Sequence, residues 1–236
     1  MSLDYFRYYT RWNHAANRRR YAAPADPWNV VLVDPSEVEY YVTVSLKWGL
    51  GRVRGGEWDR PENCEELDET VTARGLRQRF EEGRAWEETV YYEWAKGKFE
   101  EGDETGEGNA VRGHETLEQF RDERLTAIDD LYDSIRRDGY RPNDETLYDD
   151  PSEVERVSDL EPLVVVGRSG DIRWNEGYHR LLLSSILGVD EIPVYVVRRY
   201  EEWQRKRDEM SGRSVSELSG ELREYADHPD VQDVVS

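Results

Sequence analysis

Short apolar runs separated by long charged stretches set the pattern of this chain. The densest alternation lies between Leu163 and Arg198. Leu163-Val164-Val165-Val166 is a continuous apolar run of the length of a buried strand. Gly167-Arg168-Ser169-Gly170-Asp171 has turn chemistry, with two glycines able to take positive φ. Ile172 to Trp174 reads as a returning strand, and Asn175 as the cap of a helix whose buried side is Leu181, Leu182, Leu183, Ile186 and Leu187. Gly188 stops that helix, and Ile192 to Val197 is a further strand with Pro193 near its start.

Elsewhere the pattern predicts fewer strands than helices. Trp28 to Val33 reads as a strand stopped by Asp34-Pro35, and Tyr40 to Trp48 is β-rich and partly alternating. The glycine-rich Gly49–Gly56 stretch reads as a flexible loop, since arginine holds the third glycine position of a dinucleotide motif and no βαβ unit follows. Leu76, Phe80, Trp86, Val90 and Trp94 mark two helix faces broken at Gly83. Trp58, Arg79, Trp86 and Tyr92 are candidates for a pocket wall, although aromatics at helical spacing are ordinarily core. Thr116 and Gln119 form a capping box for a helix reaching about Asp138, with Leu117, Phe120, Leu125, Ile128, Leu131 and Ile135 as its stripe. Glu201 to Met210 is a charged helix, and Ser214 with Glu217 caps a last one. Glu100–Gly113 and Arg141–Leu160 are polar surface segments.

Charge changes this picture. The chain of 236 residues holds 52 Asp and Glu against 32 Lys and Arg, a net charge of −20. Lysine occurs only at Lys47, Lys96, Lys98 and Lys206. Carboxylate excess with a lysine deficit suits a halophilic source, microbial or viral, because molar salt screens the self-repulsion. In such a chain net acidity does not argue against nucleic-acid binding. Residues Asp4 to Tyr21 run the other way, with five arginines against one aspartate and six aromatics interleaved. Interleaved aromatics and arginines suit base stacking and phosphate contacts; the plainer reading is a helix packing its aromatics on the body, its arginines pairing surface carboxylates. The lone cysteine, Cys64, forms no internal disulfide. No apolar run is long enough to span a membrane and no signal-peptide core is visible, so a cytoplasmic location is expected. The histidines, His14, His114, His179 and His228, are isolated and predict no protein-held metal centre.

The hinge Asn175-Glu176-Gly177-Tyr178-His179-Arg180 carries the chemistry. It crowds polar groups where a helix begins and free N–H groups point outward. The hairpin, this Gly-Tyr-His-Arg opening and the Leu-Gly-Val-Asp-Glu-Ile-Pro-Val sequence after it resemble the ParB/sulfiredoxin superfamily (the ParB-like nuclease domain). Ser134-Ile135 to Gly139 and Val33-Asp34-Pro35 resemble two further elements of that superfamily, in order, so the likeness spans roughly Val30 to Tyr200. Gly56 to Trp94 resembles an insertion found in a subset of its archaeal, phage and bacterial members.

The resemblance implies an α/β (α+β) protein: a ParB/sulfiredoxin-like mixed-sheet core with a helical insertion and C-terminal helices. Its parts are a basic aromatic segment at 1–27, the core at 28–200 with the insertion at about 57–113, and a helical tail at 201–236. It implies a nucleotide (NTP) pocket with phosphates at Gly177, Tyr178, His179 and Arg180, bordered by Ser134 and Arg137, and Mg²⁺ arriving with the nucleotide. Glu176 and His179 are the candidates for metal or proton transfer, in phosphoryl transfer or hydrolysis. Tyr178 stands where sulfiredoxins carry their catalytic cysteine, which argues against that chemistry, and the helical DNA-reading domain of partition proteins has no counterpart after Tyr200. Read without the resemblance, Asn-Glu-Gly is ordinary helix capping and His179 and Arg180 pair with carboxylates. The alternatives are a non-catalytic DNA-associated or regulatory adaptor using the basic N-terminal segment, and a degenerate domain that binds a partner protein.

Overall fold

The computed structural model describes residues 3–101, 111, 113–143 and 155–236. Most of the Glu100–Gly113 loop and of the acidic 141–160 stretch therefore lies outside the described residues. The chain forms a mixed α/β protein around a seven-stranded sheet. The strands are β1 (Val31–Val33), β2 (Tyr40–Tyr41), β3 (Arg52–Arg54), β4 (Glu65–Glu66), β5 (Leu163–Val166), β6 (Ile172–Glu176) and β7 (Ile192–Tyr200). Their order is β1-β7-β5-β6-β2-β4, and β3 adds to the far half of β7. The hairpin β5–β6 is antiparallel, whereas β5–β7, β2–β6 and β3–β7 are parallel.

The helices are α1 (Leu3–Arg20), α2 (Val71–Phe80), α3 (Val90–Glu101), α4 (Thr126–Asp138), α5 (Tyr178–Ile186), α6 (Glu201–Met210) and the short α7 (Gly220–Glu224). A single turn, Leu117–Gln119, and a π-helical stretch, Phe120–Leu125, lead into α4. As the capping box predicts, the Thr116 hydroxyl accepts from the Gln119 N–H. One large core packs α2, α3, α4 and α5 with Val164, Val166, Val194 and Val196 of the sheet. A smaller core gathers Phe6, Leu50, Val165, Tyr195 and Val197 under α1.

Four sequence expectations change. The Tyr40–Trp48 run is a strand only at Tyr40–Tyr41, followed by an extended segment and a 3-10 turn at Leu46–Trp48. The extension is held by a side chain: buried Asn175 donates its amide to the Val42 and Val44 carbonyls (2.8 and 3.3 Å). The Gly49–Gly56 stretch is not a loop, because Arg52–Arg54 is β3 and Leu50 is fully buried. The Ser214–Glu217 capping box closes a 3-10 turn, with the short α7 after it. The N-terminal helix forms, but on a different face. Phe6, Thr10 and Asn13 are its buried residues, while Tyr5, Tyr8 and Trp12 are 64, 58 and 55 % exposed. A polar seam explains this: Asn13 donates to the Trp48 and Leu50 carbonyls (2.7 and 2.9 Å), Asn17 to Gly51, and the Leu50 N–H to the Thr10 hydroxyl. Gly49 must lack a side chain there, since a Cβ would stand 2.5 Å from the Thr10 nitrogen.

Segment 201–236 packs into the body. Trp203, Asp230 and Val231 are buried, and the Asp230 carboxylate receives Arg199 Nε (2.9 Å) and Trp203 Nε1 (2.8 Å).

Candidate functional site

Strand β6 runs two residues beyond its predicted end, so Asn175 is a buried strand residue and does not cap α5. Gly177 takes the N-cap place, with left-handed backbone at φ 87°. A Cβ there would come within 3.1 Å of the Pro162 Cα, so both conformation and space call for glycine. The next residues open α5, whose first N–H groups have no intrahelical acceptor.

That helix start forms one wall of a cavity of about 510 Å³. Glu176, Gly177, Tyr178, His179 and Arg180 all line it, so five of the seven predicted site residues meet in one place. Ser134 and Arg137 do not line it. Arg137 is largely exposed and pairs with its neighbour Asp138 (2.8 Å). Of the insertion's four candidates, none lines it either. Trp86 is buried and donates its indole N–H to Asp129 (3.0 Å), which also pairs with Arg79. Trp58 and Tyr92 pack against the core.

The opposite wall holds residues the sequence did not single out. Arg124, in the π-helical stretch, donates from Nη2 to His179 Nδ1 (2.9 Å). Arginine has no acceptor atom, so Nδ1 accepts and the ring proton sits on Nε2. His179, buried, is thus a neutral ring that positions Arg124 and adds no positive charge of its own. Glu161, also buried, accepts from the Tyr140 hydroxyl (2.6 Å), from the Asn143 N–H and from Arg180 Nη1 (3.4 Å). Arg180 also donates to the Leu160 carbonyl (2.5 Å). Burial, reinforced by the Glu161 charge, holds the Tyr140 phenol protonated far above its ordinary range. Burial and the neighbouring Tyr41 do the same for Tyr178, whose ring stacks at a tilt on Tyr41 with centroids 4.8 Å apart.

Two signals of the hidden wall are present in the sequence. Glu161 is a lone carboxylate at the head of an apolar run, beside Leu160 and two residues before Leu163. Arg124 is a charge seven residues before Leu131 and four before Ile128, on the apolar stripe of its helix. The π-helical stretch moves the stripe by one position, burying Phe120 and Leu125 and turning Arg124 toward α5.

The cavity therefore offers a helix N-terminus and two guanidinium groups beside three carboxylates, Asp159, Glu161 and Glu176. Among the described residues no group of three His, Cys, Asp or Glu side chains forms a metal site. No protein-family model matches this chain, and no curated protein or solved structure matches it.

Proposed function

We propose that the cavity at the start of α5 binds a nucleotide by its phosphates. The observation that carries this reading is the meeting of Gly177, the first N–H groups of α5, Arg124 and Arg180 on one cavity of nucleotide size. Helix N-termini favour anions through aligned N–H dipoles, and guanidinium groups add charge-assisted hydrogen bonds. The three carboxylates oppose a bare polyphosphate. A Mg²⁺ carried by the phosphates fits them, since it uses one or two protein carboxylates and keeps waters for the rest. Glu176, exposed at the rim, and Asp159 would hold it, and the ion would offset the phosphate charge. The ParB/sulfiredoxin resemblance of the Gly-Tyr-His-Arg opening supports the same reading. Arg124 and Arg180 both serve as phosphate contacts, and Arg180 also holds Glu161 and the Leu160 carbonyl.

Calorimetry with ATP, ADP, CTP and GTP, each with Mg²⁺ and in about 1 M KCl, tests this. One nucleotide binds, and Arg124→Gln weakens it by about tenfold to a hundredfold. Arg180→Ala weakens it too, but it also leaves Glu161 buried without its cation. Arg124→Gln is therefore the deciding variant. Absence of binding by all four nucleotides to folded protein overturns the proposal.

A further inference from the structure

A second surface stands apart from the cavity, on the α1 side of the sheet. Arg52 and Arg54 lie on β3, and Arg52 is the direct partner of Arg198 on the parallel strand β7. Paired and alternate positions put these three side chains on one face. Among the described residues, none of the three has a carboxylate within 4 Å, in a chain where carboxylates outnumber cations 52 to 32. The two nearby glutamates are engaged elsewhere, Glu201 with Arg20 and Arg205, and Glu57 with Arg60 and Arg168. The Arg198 Nε is buried and has no hydrogen-bond partner. Burial, and then Arg52 and Arg54, pull the Arg198 pKa down to about 10. Arg52 is lowered by burial and by Arg54.

Aromatic rings are interleaved with these charges. Arg198 lies over Trp58 (5.3 Å), Arg52 and Lys47 over Trp48 (both 4.9 Å), and Trp48 meets Tyr9 edge-on (4.9 Å). Tyr9 touches Tyr8, which begins the exposed stripe of α1 formed with Tyr5 and Trp12. Positions 5, 8 and 12 fall on one helical face. The predicted burial of these three rings does not occur, while Arg20 pairs with Glu201 at 3.5 Å.

We propose that this face, from Tyr5, Tyr8 and Trp12 of α1 across Trp48 to Arg52, Arg54 and Arg198, binds single-stranded nucleic acid. Guanidinium groups left without carboxylates meet phosphates, and exposed aromatic faces take unstacked bases. A duplex keeps its base faces inside its own stack, so the three exposed rings select single strands. Charge complementarity comes from this patch and not from the whole chain, whose net charge repels polyanions. Binding is therefore weakest where that long-range repulsion is unscreened, and it passes through a maximum as salt rises.

Anisotropy of a labelled deoxythymidine oligomer of about 20 nucleotides, titrated from about 0.1 to about 1 M KCl, tests this on the full chain. The oligomer binds and quenches tryptophan fluorescence. Trp12→Ala weakens binding by about fivefold or more through the lost stack. Arg52→Gln with Arg54→Gln weakens it by at least about tenfold and flattens the high-salt slope of log K by about 1.4. Arg54 and Trp12 are exposed, so Arg54→Gln and Trp12→Ala keep the fold and decide the matter if the double variant does not. No binding anywhere in that range overturns the proposal. So does binding unchanged in all three variants, or a preference for duplex or heparin, which offer phosphate-like charge without free bases.

Discussion

Arg198 and Arg199 are neighbours on β7 and leave it on opposite faces, with opposite surroundings. Arg199 is buried against Asp230, with Nε at 2.9 Å and Nη2 at 2.5 Å from its oxygens. Asp230 also takes the Trp203 indole and lies 3.6 Å from Arg207, which itself holds Asp233 at 2.8 Å. Arg198 faces Arg52 and Arg54 and holds no acid among the described residues. Both arginines are substantially desolvated. A buried charge is tolerated when it is paired and hydrogen-bonded, and its neighbour shows that the sequence can supply the pairing. In a chain so rich in carboxylates, an unpaired cluster is the less expected outcome, which is why it reads as a surface kept for an external anion.

The paired side breaks most severely. Asp230→Ala leaves Arg199 and Arg207 buried without their shared carboxylate. It lowers unfolding free energy by about 3–5 kcal/mol in urea or guanidinium titration. A loss below about 1 kcal/mol would show that the network is replaceable packing. Asp230→Asn keeps the shape and the indole acceptor and falls between.

Acid attacks the same network in two stages. His228 donates from Nε2 to the Gly170 carbonyl (2.8 Å) and accepts the Asp230 N–H on Nδ1 (3.0 Å), so its neutral ring is the fitted form. Burial lowers its pKa below the ordinary 6.5. Its contribution is complete above that pH and is lost as pH falls through the depressed folded value. Burial would raise Asp230, but Arg199 and Arg207 outweigh it and hold the carboxyl at about 2, against an ordinary 3.8. That contribution begins to fall only below the ordinary value and is gone near the folded one. Stability measured against pH therefore declines first below about 6.5 and again below about 4. His228→Gln removes the first decline and leaves the second. A single decline in the wild type, starting only below pH 4, would exclude His228 from the acid response.

The two faces were not equally legible in the sequence. The strand at Leu163–Val166 and the helix at Glu201–Met210 appear where the apolar and charged patterns place them, because each buries or exposes whole residues by period. The cavity wall at Glu176–Arg180 was legible too, as polar groups crowded at a helix start. Its other wall was not. Glu161 and Arg124 come from distant segments, and only the fold shows that Glu161 meets Arg180 or that Arg124 meets His179. Strand β3 was hidden because its only apolar residue, Val53, stands between two arginines amid glycines. Strand β4 consists of two exposed glutamates. On α1 the apolar pattern pointed to the wrong face. Its buried side is held by the Thr10, Asn13 and Asn17 hydrogen bonds to residues 48–51, and satisfied polar groups bury as well as apolar ones do. The exposed aromatics are the consequence.

The unpaired side gives the smallest effect on stability and sharpens the comparison most. Arg198→Met keeps an unbranched apolar stem of similar bulk, gives up the guanidinium over Trp58, and removes a charge that no acid among the described residues offsets. The folded-state pKa of Arg198 is depressed, so the charged form at neutral pH opposes folding, and the neutral replacement relieves that opposition. Volume-conserving exchange of this kind leaves packing nearly intact. The variant is therefore equal to the wild type in denaturant titration or more stable by up to about 1 kcal/mol. Arg199→Met, one residue further on, strips Asp230 of its closest cation and destabilises. A loss of more than about 1 kcal/mol in Arg198→Met would mean that its guanidinium is structural, held by Trp58 alone, and would remove the main reason to read the Arg52–Arg54–Arg198 face as open to a ligand.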